Sequence, residues 1–393
     1  MQKIKWIFIS AFLFLLVGCS SSVRTVSQPP NTSNKTALSI YDKLPVYAHA
    51  ARQSWPIISA HVPLKIGDHS RALPEIRDRL ITLGDLSQSE KSSSLLFDSA
   101  LSRAVAQFQW RHGLESNGVV NQKTLNEFNV NPAVRYRELA HSMNEWAKLP
   151  EDESAHYIHV NVPSFQLRLV EQGNAVMEMR VITGRFSRPT PTLYSKVTTI
   201  VFNPSWTVPE TILAKDVIPG MQNNPNYLKE HYDMRVYANW DKNAPEIDPL
   251  TIDWKNANAK NFVYRVSAPP GEKNPLGHVK FIFENEHDVY MHDTPDKALF
   301  SKIERAYSSG CIRLEKPFEL VEYFYSDNTD LNTELVNQYL GLGDTKFVQL
   351  KNPMPIHITY ITAWVDKNGY VHFREDIYQQ SPGNSTEPAA DIA

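Results

Sequence analysis

Apolar residues first recur at helical spacing between Leu64 and Asn129. Leu73, Ile76, Leu80 and Leu83 fall on one face, and Gly84 stands where a helix C-cap belongs. After a polar loop, Asp98 is an N-cap for a second helix with Leu101, Val105 and Phe108 on one side, stopping at His112-Gly113. Thr124-Leu125 and Phe128 mark a short third helix. Asn131-Pro132 opens a fourth, asparagine as cap and proline in the first turn. Tyr136, Leu139, Met143 and Trp146 then recur every three or four residues up to Leu149-Pro150. From Tyr157 the period becomes two. Ile158, Val160 and Val162 alternate with polar residues, as do Leu167 and Leu169, and Gln172-Gly173-Asn174 reads as a hairpin turn into Ala175–Thr183. Further strands are predicted over Thr198–Phe202, His278–Phe283, Val289–His292, Ile356–Val365 and Val371–Phe373, with a helix over Pro317–Tyr325. The pattern is that of an α+β chain: a small three-helix domain, then a mostly β domain such as a sandwich.

Three stretches break the pattern. Between about 209 and 264 the strand period lapses in a Pro-, Asn- and Trp-rich segment containing Tyr227, Tyr237, Trp240 and Trp254. It interrupts a β domain, so it is expected to be an insertion capping one face. Residues 20–60 are rich in Ser, Thr, Asn and Pro with little periodicity, and read as a flexible tether reaching about 35 Å on average. At the start, Lys3 and Lys5 precede an apolar run from Trp6 to Val17, too short to span a bilayer, which ends in Leu16-Val17-Gly18-Cys19. That ending resembles the bacterial lipoprotein signal. The resemblance implies cleavage before a lipidated Cys19. Ser20 beside it implies sorting to the outer membrane of a Gram-negative cell. The expected layout is a signal peptide over 1–19, a tether over 20–60, a three-helix domain over 61–131, a connector helix over 132–155, a capped β domain over 156–379 and a polar tail over 380–393.

The chain has two cysteines. If Cys19 carries lipid, Cys311 is a single thiol in an oxidising compartment, without a disulfide partner. It sits in Ser308-Ser309-Gly310-Cys311-Ile312-Arg313, a poor description of an apolar core strand. Nineteen residues before it, His292 opens His292-Asp293-Thr294-Pro295. Thiol, imidazole and a glycine turn are the parts of a cysteine acyl-transfer site. Gly310 can turn the Gly310 and Cys311 N–H groups toward one point, as an oxyanion hole requires. Arg313 can bind a substrate carboxylate or pair with a nearby acid. No His-Glu-x-x-His helix argues for a metal, no phosphate-cradling glycine loop or Gly-x-Ser-x-Gly elbow is present, and a net charge of −3 gives no basic excess for nucleic acid. Neither a metal nor a cofactor is expected.

The segments around Phe97-Asp98-Ser99-Ala100-Leu101, Arg111-His112-Gly113-Leu114 and Gly118-Val119-Val120-Asn121 resemble the peptidoglycan-binding three-helix module, with Asn121 where that family commonly has glycine. His292-Asp293-Thr294-Pro295 with Ser308–Arg313 resembles the L,D-transpeptidase catalytic domain. So do Thr183-Gly184-Arg185, Arg188-Pro189-Thr190-Pro191, Asn203–Pro209 and Asn274-Pro275-Leu276-Gly277. Ser309 replaces the histidine common in that motif, which leaves His292 as the base. The resemblance implies Cys311 as nucleophile, His292 as base, the Ser308 carbonyl as the imidazole's partner, and Gly310 and Cys311 amides as oxyanion donors. Trp206, Tyr290 and Arg313 are expected to meet substrate. It implies attack on the meso-diaminopimelate–D-Ala bond of a tetrapeptide stem, release of D-Ala and 3→3 cross-linking, with susceptibility to carbapenems. The alternatives are an L,D-carboxypeptidase or amidase using the same thioester, or a structural wall-binding lipoprotein. Expected partners are peptidoglycan stems and glycan, and the membrane through the lipid, for a periplasmic monomer.

Overall fold

The computed structural model describes residues 25–150, 156–325 and 328–381. The signal peptide expected over 1–19, with Cys19, and nearly all of the tail expected over 380–393 lie outside them. The tether expected over 20–60 is corrected: Lys35–Ala51 forms a helix, α1. Asn34 caps it, accepting from the Ala37 N–H at 2.9 Å and donating to the Leu149 carbonyl at 3.2 Å. Ala37, Ile40, Leu44 and Tyr47 lie on its buried face.

The three-helix module is α2 (Leu73–Leu83), α3 (Ser99–Arg111) and α4 (Gln122–Phe128). Its core is Leu73, Ile76, Leu80, Phe97, Leu101, Val105, Phe108 and Phe128. The expected caps are in place. Gly84 adopts φ +85°, and the Asp98 carboxylate accepts from the Leu101 N–H at 2.8 Å. The connector is α5 (Pro132–Ala147), which packs along α1 through Tyr136, Leu139, Met143 and Trp146.

The β domain opens with β1 (His156–Asn161), β2 (Gln166–Glu171), β3 (Asn174–Gly184) and β4 (Leu193–Phe202). The cap then carries β5 (Trp206–Thr207), β6 (Arg235–Tyr237), β7 (Glu246–Ile247) and β8 (Arg265–Ala268), paired in the order β5-β8-β6-β7. It has its own core, with Val208, Leu213, Val217, Leu228, Val236 and Val266. The boundaries expected at 209 and 264 were therefore too narrow. The chain enters and leaves through paired strands, Trp206 opposite Ala268, so both belong to the cap.

The domain resumes with β9 (Val279–Phe283), β10 (Met291–His292), β11 (Ala306–Ser308), β12 (Ile312–Leu314) and β13 (Lys346–Thr359). The nine-stranded sheet runs β11-β3-β12-β10-β9-β4-β13-β1-β2 and closes on itself through β2–β3, so the layers of the expected sandwich are continuous. Its interior holds Ile158, Val160, Leu167, Val197, Ile200, Phe281, Met291, Ile312 and Leu314, with Leu320 and Val321 of the helix Pro317–Tyr323. The last strands, β14 (Ala363–Val365) and β15 (Val371–Phe373), pack with α1 and α5. Tyr378 then returns the chain to the β domain's core. No described helix is long and apolar enough to cross a membrane.

Candidate active site

Register brings the chemical residues together. β10 and β12 are parallel neighbours, Met291 opposite Ile312 and His292 opposite Arg313, while β9 sets Lys280 opposite His292. Met291, Ile312 and Phe281 fill the core. Side chains alternate along strands, so Tyr290, His292, Cys311, Arg313 and Lys280 all take the opposite face. Cys311 is half-buried there and His292 buried.

His292 Nδ1 lies 2.5 Å from the carbonyl oxygen of Asp293. With the proton on Nδ1, Nε2 is an acceptor able to take a proton. This corrects the expected role of Ser308. The Ser308 carbonyl accepts instead from the Arg185 N–H at 3.0 Å. Its hydroxyl donates to the Cys311 carbonyl at 2.5 Å and accepts from the Gly310 N–H at 3.1 Å. Ser308 thus braces the loop. The Gly310 N–H is also occupied, which leaves the Cys311 N–H as the oxyanion donor of the expected pair.

Asp293 is held from below. Its carboxylate accepts from the His278 N–H at 2.9 Å and from Lys297 Nζ at 2.5 Å. It fills space that only Gly277 leaves open. At φ +58°, a Cβ on Gly277 would stand 2.2 Å from Asp293 Oδ2. On the side of Cys311, Gly310 adopts φ +115°, and its carbonyl accepts from the Thr190 hydroxyl at 2.7 Å. Tyr378 accepts from the Thr190 N–H at 3.2 Å and donates to the Gly184 carbonyl. Arg188 binds the Ser309 hydroxyl at 2.9 Å and grips Asp216 of the cap with two bonds, 2.5 and 3.0 Å. Cap and catalytic loop are thereby joined.

The family model described as L,D-transpeptidase catalytic domain matches residues 155–336, and one for peptidoglycan-binding domains matches residues 70–127. The chain carries an L,D-transpeptidase catalytic domain. A peptidoglycan-binding domain precedes it. A Haemophilus influenzae protein whose name assigns it to the L,D-transpeptidases is 36% identical over 221 residues, covering 56% of this chain and 44% of that protein. The chain thus spans less than half the length of that relative. Among solved structures, an L,D-transpeptidase from Stackebrandtia nassauensis is 14% identical with a TM-score of 0.28, covering 76% of this chain and 97% of that one. L,D-transpeptidase 3 from Mycobacterium tuberculosis, bound to a faropenem-derived adduct, is 12% identical with a TM-score of 0.22, covering 52% and 60%.

The other expected residues of the transpeptidase domain divide. The Tyr290 phenol is hydrogen-bonded to Cys311 and to Trp206. Trp206 is 9% exposed, so it supports Tyr290 and the cap's core and does not form an open cleft wall. Arg313 pairs with Asp296 at 2.9 Å, the structural alternative of its two expected roles. Sequence patterns missed Lys280, whose Nζ lies 3.6 Å from the Tyr290 ring centroid. Among the described residues, no group of three or more His, Cys, Asp or Glu side chains could hold a metal ion.

The pair rests uncharged. Burial raises the Cys311 thiol above its usual range, although Tyr290, Lys280 and Arg313 each favour the thiolate. Burial, aided by Arg313, pushes His292 down to about 3. The imidazole is then unprotonated throughout the neutral and mildly acidic range. Its protonation should produce no acid limb in the pH profile of kcat/KM near 6.5. Arg313→Gln removes a cation that disfavours imidazolium, so His292 should titrate higher and the acid limb should move upward. A profile unchanged by Arg313→Gln would exclude this influence on the base.

Proposed function

We propose that this protein is a peptidoglycan L,D-transpeptidase, anchored by lipid at Cys19 in the periplasm and sorted to the outer membrane. The observation that carries the chemistry is the neutral His292, its Nδ1 committed to the Asp293 carbonyl, on the same sheet face as Cys311. His292 removes the thiol proton as sulfur attacks the carbonyl carbon of diaminopimelate in the diaminopimelate–D-Ala bond. The Cys311 N–H supports the oxyanion. Collapse breaks the C–N bond, D-Ala leaves with the proton held by His292, and a thioester remains. An amine from a second stem then gives up a proton to His292, attacks the thioester and expels the thiolate, forming a 3→3 cross-link. Tyr290 and Lys280 stabilise that thiolate.

The cap favours transfer over hydrolysis. Its ties through Arg188–Asp216 and Trp206–Tyr290 keep it against the Cys311 loop, and a cap held there would limit the access of water to the thioester. Incubation with disaccharide-tetrapeptides, read by mass spectrometry, should yield dimers that have lost one D-Ala. Tripeptides alone would indicate a carboxypeptidase, and unchanged substrate with reactive Cys311 would refute both readings. Metabolic lipid labelling that persists in Cys19→Ala would refute the anchor.

A further inference from the structure

A cavity of about 460 Å³ lies outside the catalytic site, where the three-helix module, α5 and the segment after β15 meet. That volume suits a small peptide. Its lining carries both signs of charge, and most of the charges are already answered. Arg135 is taken by Glu127 and by Glu138, the latter at 2.6 Å. Asp376 accepts from the Tyr360 hydroxyl at 2.7 Å and from the Gln380 and Ser381 N–H groups at 2.8 and 2.9 Å.

Arg374 is different. One of its guanidinium nitrogens donates only to carbonyls, those of Arg111 at 3.1 Å and Phe373 at 2.7 Å. The group lies 4.7 Å from the Trp364 ring centroid, and its stem fills the space left by Gly113, where a Cβ would come within 2.7 Å of Cδ. Among the described residues no carboxylate stands within ion-pair distance of it. Burial lowers its affinity for the proton to about 10, still far above neutrality, so it stays charged. A half-buried guanidinium at a cavity wall, without a counter-ion, is suited to a ligand carboxylate held by two N–H donors. Glu375 is exposed on the same wall.

We propose that this cavity is a second binding site for wall stem peptides, with Arg374 taking a stem carboxylate and Glu375 the free amine of diaminopimelate. Only the ligand class rests on the function proposed above. The site uses residues of α5 and of the segment after β15, beyond the peptidoglycan-binding match. The same segment carries Tyr378 to Thr190, whose hydroxyl holds the Gly310 carbonyl.

The test is calorimetric titration of Cys311→Ala protein with the tetrapeptide L-Ala-γ-D-Glu-meso-diaminopimelate-D-Ala. Two binding equivalents are expected. Adding Arg374→Met, which keeps the stem packed on Gly113 and Trp364, should leave one. Arg374→Lys keeps the charge without the fork and should restore the second at about tenfold weaker affinity, one lost hydrogen bond's worth. Should Arg374→Met fail to fold by circular dichroism, the exposed Glu375→Gln serves in its place and should weaken the second site several-fold. A single equivalent in the parent, or two undiminished equivalents in these variants, overturns the proposal. Release of D-Ala by the native enzyme is read separately. An active enzyme with one equivalent sinks only the second site, whereas an inactive one with Arg374-dependent binding sinks only the proposed function.

Discussion

Replacing Cys311 by alanine is expected to abolish D-Ala release from tetrapeptide stems and, in the same protein, covalent capture of a carbapenem. The loss should exceed about 10⁴-fold, since removing a covalent nucleophile takes away the reaction path itself. The fold should survive. Cys311 is half-buried at the sheet's outer face while its neighbour Ile312 fills the core, so losing the sulfur opens no large internal void. An unchanged melting temperature with no turnover would separate chemistry from stability. Intact-protein mass spectrometry gives the second readout: the native protein should gain the mass of the opened carbapenem and Cys311→Ala should not. An adduct retained in that variant would place the nucleophile elsewhere.

The two side chains proposed to exchange the proton were legible because their chemistry is written in residue types. A lone thiol after Ser-Ser-Gly, and a histidine nineteen residues earlier at a strand end, leave few other readings. Their supports were not legible in the same way. The imidazole's partner is a backbone carbonyl, which every residue possesses, so no residue type distinguishes Asp293 from Ser308. The same holds for the Gly310 N–H, whose engagement with Ser308 Oγ depends on the local turn. Lys280 is marked only by register, opposite His292 on β9. Tyr378 reaches Thr190 across 188 positions of sequence, beyond the reach of any periodicity.

At the fold level, the period-two strands and the capped helices of the module were readable because each repeats a local geometric rule. Helix α1 was missed although Ala37, Ile40, Leu44 and Tyr47 keep helical spacing. Pro45 and the polar residues before Asn34 pointed to a linker, and the face became decisive only once α5 and β14–β15 were there to bury it. Tertiary burial outweighed composition. The cap's edges were misplaced for a related reason: Trp206 and Ala268 belong to it by pairing with each other, across 62 positions.

Gly277→Ala is expected to slow D-Ala release by about 10²-fold or more although residue 277 touches no reacting atom, because an ångström's misplacement of a catalytic group costs about that much. The left-handed backbone at φ +58° costs an alanine about 1–2 kcal/mol of stability, a modest change that melting can measure. The larger effect runs through Asp293. The new Cβ would lie 2.2 Å from Oδ2 and 2.4 Å from Cγ, so the carboxylate must leave the His278 N–H and Lys297. Its peptide shifts with it, and the carbonyl that holds His292 Nδ1 moves away. A freed imidazole loses both its tautomer and its aim. The double variant Gly277→Ala with Asp293→Ala tests this route, because removing the carboxylate removes the collision. If the damage travels through the Asp293 side chain, the double variant should be faster than Gly277→Ala alone and the two effects should be non-additive. Rate losses that simply multiply would show that Gly277 acts on the site by another path.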